Sequence, residues 1–365
     1  MTTPVKFTTH ANLRHRLVLA TLTGTPLHIT QIRANSMTPG LTSSEVALLR
    51  LLDNITNGSF FEISLAGTTF VYKPGLITAN NGKPIHFTIP ETCTRGVTYY
   101  LEVLALVAPF SKAAFSVTLD GGVITAATEE DMSVDTFRTC YLALFQKFGM
   151  ERNIDLRIVK RSAGPHGAGE VHFVHGFQTR VARTLHLQTP GRVKRIRGVA
   201  YGIARPQIVP ADYGKEGALE KAGGNNKGRA NGRTRKVGVG FGISLVAETG
   251  TGCIYAADAT ANPAEPAEDV GKRCAYMLLE EIQMGGCVGR TAEMAAMTMM
   301  MMGQEGDVGR LVIGKETIDE TLISQLRDMK KIIGTEVAMK EAPGEGNVLV
   351  SILGRGVGNV GRKLA

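Results

Sequence analysis

The chain has no tryptophan, and aromatic residues make up only 6% of its 365 positions. A platform of stacked bases on aromatic rings, the device of many single-strand binders, is therefore poorly supported. Its five cysteines, Cys93, Cys140, Cys253, Cys274 and Cys287, contain no C-x-x-C pair. Their irregular spacing argues against a zinc ribbon or a disulfide framework and fits a reducing compartment. Long apolar runs are missing as well. Val103 to Phe110 and Met294 to Met302 are the most apolar stretches, far short of the roughly 20 residues that a membrane span needs. Met1 to His10 is polar, so no signal peptide is expected. No Walker loop occurs. Gly238-Val239-Gly240-Phe241-Gly242 leads into strand-like Ile243 to Ala247, not a helix, so it is no dinucleotide fingerprint. Histidine, too, runs out: none of the 179 residues after His186 is a histidine.

What is present describes a globular chain, with 43% apolar and 20% charged residues and room for two or more domains. The 43 glycines predict many tight turns. The net charge of +8 is uneven: Arg180 to Lys236 holds 14 Lys and Arg against 3 Asp and Glu. That segment reads as a face for a polyanion or an acidic partner, or more plainly as a solvated basic loop.

Several elements can be placed. Thr42-Ser43-Ser44-Glu45 has capping-box spacing before the apolar Val46 to Leu52, and Asn57-Gly58 ends that helix. Phe61 to Leu65 and Thr69 to Tyr72 read as a hairpin around Ala66-Gly67. Pro84 to Pro90, Ile154 to Lys160 and Gly169 to Val174 read as strands; Thr98 to Val107 and Ser133 to Phe148 read as helices. Apolar faces at 270–283 and 318–333 predict two more helices, the second stopped by Gly334. Strand pairs alternate with helices, which fits a layered α/β protein. The methionines at 297 and 299–302 are expected in the core. Gly354-Arg355-Gly356-Val357-Gly358 is expected to be a flexible basic tail.

Ile32-Arg33-Ala34-Asn35-Ser36-Met37-Thr38-Pro39-Gly40-Leu41 follows Leu13-Arg14-His15-Arg16-Leu17-Val18-Leu19-Ala20-Thr21 and the turn Thr23-Gly24-Thr25-Pro26. Together they resemble the opening of the RNA 3′-terminal phosphate cyclase family. Gly164-Pro165-His166-Gly167-Ala168-Gly169 is similar to that family's Pro-x-Gly-Gly-Gly turn, with Ala168 at the middle glycine. Val288-Gly289-Arg290-Thr291-Ala292-Glu293 is similar to its Val-Gly-Glu segment, but the Asp-Gln pair that follows there is absent here. The cyclases' glycine-rich run is replaced by Thr9-His10-Ala11-Asn12. Their next arginine and lysine are replaced by Ser36 and Thr38, while Arg14 and Arg33 are kept. Cyclases also carry a nucleophilic histidine near the C-terminus that takes AMP from ATP, and this chain has no histidine there. The resemblance is thus to the eukaryotic, non-cyclising branch and covers nearly the whole length.

The resemblance implies the cyclase fold: three repeated units, each a four-stranded sheet with two helices, and a smaller inserted α/β domain. The division expected is body 1–184, insert 185–267 and body 268–365, with the insert bounded by Gln188-Thr189-Pro190-Gly191 and Asn262-Pro263-Ala264-Glu265-Pro266-Ala267. Gly223 to Lys236 reads as a loosely held basic loop. The function implied is a non-catalytic factor of the small-subunit processome, in the nucleolus, bound to its nucleolar GTPase and to pre-rRNA. A pre-rRNA endonuclease on the same scaffold and an active cyclase are the alternatives. No catalytic residue, cofactor, metal or membrane contact is expected.

Three groups are candidate sites. Arg14, Arg33, Lys160, Arg161, Gly167 and Gly169 are candidates for an anion or RNA cleft, since glycine amides approach anions closely; for the glycines a tight turn is the plainer alternative. Arg192, Lys194, Arg195 and Arg197 are candidates for partner or RNA binding. They carry charge on both faces of a strand, so that strand is expected at an edge or surface. Arg327, Asp328 and Lys330 are candidates for RNA contact on a helix, or simply a solvated face. A single carboxylate is thin support for nuclease chemistry.

Overall fold

The structure is a computed structural model that describes residues 3–150, 154–165, 167–176, 181, 183–203, 239–342 and 346–356. It is built from one recurring unit. In the first, β1 (Val5–Phe7), α1 (Leu13–Thr23), β2 (Leu27–Ile29) and α2 (Ser43–Ile55) precede a two-residue strand β3 (Thr56–Asn57). The hairpin β4 (Phe60–Ile63) and β5 (Phe70–Lys73) follows, then β6 (Leu76–Ile77). The second holds β7 (Ile85–Ile89), α3 (Thr98–Val107) and β8 (Phe115–Gly121). A helical stretch of α4 (Val134–Thr136), a π turn (Phe137–Tyr141) and α5 (Leu142–Lys147) leads to β9 (Ile154–Lys160) and β10 (Glu170–His175).

The third unit opens with β11 (His186–Leu187) and is then interrupted by β12 (Val193–Ile203), β13 (Gly240–Thr249), β14 (Ile254–Thr260) and α6 (Ala267–Gln283). It resumes as α7 (Arg290–Met301), β15 (Val308–Gly314), α8 (Glu320–Ile333), β16 (Val337–Glu341) and β17 (Asn347–Leu353). The sheet orders are β1-β2-β5-β4, β7-β8-β10-β9 and β11-β15-β17-β16. In all three the first pair is parallel and the other two are antiparallel. The repeat, invisible in the residues themselves, is plain in the pairing. Among the described residues no helix is long and apolar enough to cross a membrane.

Local chemistry explains these elements. Thr42 Oγ1 accepts from the Glu45 amide at 3.3 Å and Glu45 Oε2 accepts from the Thr42 amide at 2.7 Å, the reciprocal capping box. Gly334, at φ 75°, ends α8 in the left-handed region. The expected helix 133–148 is interrupted: the π turn brings Phe137 and Tyr141 into a stack, with centroids 4.8 Å apart. Met297 and Met299 to Met301 of α7 are buried, as is Met302. The expected flexible tail is corrected over its described part. The Gly354 amide donates to Asp307 O and the Arg355 amide to Met301 O, and a Cβ on Gly354 would sit 2.2 Å from Gln304 O. Residues 357–358 lie outside the described residues.

The interruption forms its own three-stranded sheet, β12-β13-β14, with α6 packed on β13 and β14. Since β11 pairs with β15 in the third body sheet and α6 packs on the inserted sheet, we propose 188–288 as this unit's bounds in place of 185–267. Its inner face is tied to the second unit by Asp258. That carboxylate accepts from the Ser133 amide, the Ser133 and Thr136 hydroxyls, each at 2.8 Å, and the Ser244 hydroxyl.

Candidate functional site

α1, α3 and α7 are the first helices of the three units; α1 and α7 each pack on α3, and His15 of α1 meets Thr298 of α7. Their N-terminal turns converge on a cleft of about 480 Å³. α1 contributes Arg14 and His15, α3 contributes Tyr99 and Glu102, and α7 contributes Arg290 and Glu293; Arg33, Glu45 and Arg95 enter from loops and α2. The sequence accounts for this placement. α1 is buried on nearly every side from Leu17 to Leu22, and its charged and imidazole side chains, Arg14, His15 and Arg16, all lie near its start. α3 is apolar apart from its first turns, with Glu102 its one charged residue.

The arginines of the cleft are mostly taken. Arg14 pairs with Glu102 at 2.8 Å and approaches Asp131 at 3.8 Å. Burial works against the Arg14 charge, but Glu102 and Asp131 more than offset it and raise its pKa. Burial raises the Glu102 pKa, and Arg14, 2.8 Å away, opposes that shift. Arg95 makes two bonds of 2.6 Å to Asp131, and a third nitrogen contact, also 2.6 Å, to Glu130. The Tyr99 ring lies beneath both guanidiniums, 4.5 Å from Arg95 and 5.0 Å from Arg14, and burial pushes its hydroxyl up to about 12. Arg33 makes two bonds of 2.8 Å to Glu45, so the capping-box carboxylate of α2 also serves as its counter-ion.

Arg290 is the cleft arginine without an ion pair among the described residues. Its amide, at the start of α7, donates to Glu281 Oε1 at 2.6 Å. The helix terminus that favours anions thus already faces a carboxylate from α6. Burial favours the neutral form of two further lining groups. Burial pushes Glu293 up to about 8, and Thr317 Oγ1 donates to it at 2.6 Å. Burial, with Arg14 and Arg16 beside it, drives His15 down to about 3, and its Nε2 lies 3.2 Å from Thr298 Oγ1. No group of three metal-ligating side chains is found among the described residues. The arrangement can hold a polar ligand.

The residues singled out from the sequence fall in separate places. Arg14 and Arg33 line the cleft; Lys160, Arg161, Gly167 and Gly169 do not. Lys160 ends the edge strand β9. Arg161 pairs with Asp135 and lies 5.2 Å over the Tyr201 ring. Gly167 is a packing glycine: a Cβ there would meet Val123 O at 2.4 Å. Gly169 has Lys160 O and two side chains at 3.0 Å. Lys194, Arg195 and Arg197 lie on β12, an edge of the inserted sheet among the described residues, and Arg192 immediately precedes it. Arg327 and Lys330 are exposed on α8, but Asp328 turns inward and is bound by Arg16. His166 and the loop 223–236 lie outside the described residues.

Sequence reasoning missed Arg95, Tyr99, Glu102, His15 and Glu293 as cleft residues. A signal existed for two: Glu102 and Glu293 are carboxylates inside otherwise apolar helical runs. Such a residue is rarely buried without a reason.

The family model described as "RNA 3'-terminal phosphate cyclase" matches residues 5–339. The rRNA processing protein rcl1 of Schizosaccharomyces pombe is 37% identical over 96% of each chain. The RNA 3'-terminal phosphate cyclase-like protein of Homo sapiens is 35% identical over the same shares. The rRNA processing protein RCL1 of Saccharomyces cerevisiae is 36% identical over 97% of this chain and 96% of its own. The threefold unit, the inserted sheet and these full-length matches agree, and the chain belongs to the RNA 3′-terminal phosphate cyclase family.

Proposed function

We propose that this chain is a ribosome-biogenesis factor that acts without catalysis in early pre-rRNA processing toward the small-subunit rRNA. It works in the nucleolus as part of the small-subunit processome and associates with a nucleolar GTPase. The observation that carries the reading is the loss of the cyclase nucleophile, with no histidine among the 179 residues after His186. The cleft supports it: three of its arginines are already neutralised by carboxylates of the chain itself. A polyphosphate would have to displace those ion pairs. The names of the fungal relatives, both rRNA processing proteins, support the pathway.

Covalent adenylylation needs a nitrogen with an available lone pair. His15 is the buried candidate at the cleft, and its basicity is very low. Purified chain incubated with labelled ATP is expected to form no adduct, and a labelled band would overturn the non-catalytic reading. Depletion of the chain should raise unprocessed precursors of the small-subunit rRNA, and a tagged copy should recover the GTPase and pre-rRNA together. Normal processing after depletion would overturn the pathway assignment. The endonuclease alternative gains nothing from Asp328, whose carboxylate is committed to Arg16.

A further inference from the structure

The inserted sheet is held firmly on two of its three strands. α6 covers β13 and β14 on one face, and Asp258 binds Ser133 and Thr136 of the body on the other. Among the described residues β12 is left at the edge and pairs with β13 alone. It is 11 residues long, or about 36 Å at ~3.3 Å per residue. Every residue from 193 to 198 is exposed, whichever face it occupies. An edge this long presents unpaired backbone groups, and proteins usually shorten, bulge or cover such edges. Here one irregularity lies between Val193 and Arg195, and the rest of the ladder runs in register to Ile203.

Its side chains add a specific bias. Arg195 and Arg197 converge on Glu248 of β13, with Arg195 Nη2 2.6 Å from Glu248 Oε2. One carboxylate thus sits between two guanidiniums and shows what an acidic side chain does on this surface. Arg192 and Lys194 have no carboxylate partner among the described residues. Like charges on both faces oppose pairing with a second copy of the same edge. Between the charges lie Ile196, 55% exposed, and Val193, 36% exposed. A peptide side chain can cover these; a phosphate backbone gains nothing from them. No aromatic residue precedes Tyr201 on the strand to stack a base.

We propose that β12 is the docking edge for an extended acidic segment of a protein partner, which joins the inserted sheet as a fourth strand and places its carboxylates on the Arg192–Arg197 row. Main-chain bonds supply affinity in this mode and alternate side chains supply selectivity. The sheet is pre-ordered by α6 and Asp258, so the ordering cost falls mainly on the incoming peptide. The proposal rests on the reading of the chain as a partner-binding factor.

The test uses the full chain and three labelled probes. One is a 12-residue peptide of alternating Glu and Val; the second is the same peptide N-methylated at every other residue; the third is a 12-nucleotide single-stranded RNA. The plain peptide should bind, N-methylation should weaken it by about tenfold or more, and Arg192→Glu/Lys194→Glu should weaken it similarly with thermal stability unchanged. Equal binding of the N-methylated peptide would mean that charge alone acts, and would overturn strand addition. RNA that binds more tightly than the peptide and displaces it would assign the edge to nucleic acid instead. No peptide binding at all would also overturn the proposal. Recruitment of the chain to pre-ribosomal particles is scored in parallel. A chain that joins the particle but ignores the peptide loses only the docking edge, whereas a chain that never joins loses the functional reading.

Discussion

Arg16 on α1 and Asp328 on α8 form a buried ion pair across the first and third units. Arg16 Nε lies 2.6 Å from Asp328 Oδ2 and Nη2 lies 3.1 Å from Oδ1, and both residues are at most 5% exposed. Asn12 Nδ2 adds a bond of 3.2 Å to the same carboxylate, and the Arg16 guanidinium stacks 3.9 Å over Phe7. Removing one partner of such a pair strands the other charge. Asp328→Ala is expected to cost about 3–5 kcal/mol in urea unfolding. Arg16→Met/Asp328→Leu, which removes both charges, should recover most of it. A single variant within about 0.5 kcal/mol of the parent would show the pair to be dispensable. Loss of function in Asp328→Ala must therefore be scored against the folded fraction before any chemistry is assigned to it.

Glu293 gives the fold a pH dependence. Its folded-state pKa of about 8 lies above the ordinary 4.5, so folding takes up a proton. Its contribution is whole below about pH 4.5 and is lost as pH rises through about 8. The side chain is 1% exposed, so the effect is on the order of a few kcal/mol. Glu293→Gln should raise the melting temperature at pH 8.5 by roughly 2–6 °C and leave it nearly unchanged at pH 5. Equal shifts at both pH values would mean that Glu293 is ionised in the folded chain.

Gly167 separates packing from anion binding. An added Cβ would lie 2.4 Å from Val123 O and 2.5 Å from Gly122 O, both backbone atoms. Gly167→Ala should destabilise by about 1–3 kcal/mol by strain alone. RNA affinity measured on the folded fraction should stay the same. A selective loss of affinity would return this turn to the candidate cleft.

Asp258 holds the inserted sheet to the body through the Ser133 amide and the Ser133 and Thr136 hydroxyls, and also accepts from Ser244 of its own sheet. Asp258→Ala leaves those donors short of an acceptor, at about 1–3 kcal/mol. Hydrogen exchange should quicken in β13, β14 and the start of α4, while β1, β2 and β5 keep their protection. Uniform quickening across the chain would show that the insert does not open as a unit.

By itself the sequence determined the elements whose signals are local. The Thr42–Glu45 box, the Gly334 stop, the 98–107 helix and the charged strand at 193 depend on neighbours within a few residues, and each lies where its pattern placed it. Charge on both faces of β12 already implied an edge, because no layer can cover such a strand cheaply. The resemblance carried by Arg14, Arg33 and Pro39-Gly40-Leu41 supplied the fold. Only the tertiary structure decided which charges meet. Arg33 finds Glu45 twelve residues on, Arg14 finds Glu102, and Arg16 finds Asp328, 312 residues away. Nothing periodic links such positions, since an ion pair across units depends on how three helices pack. That packing turned Asp328 from a face residue into a buried anchor, and left Lys160, Arg161, Gly167 and Gly169 outside the cleft where Arg14 and Arg33 lie.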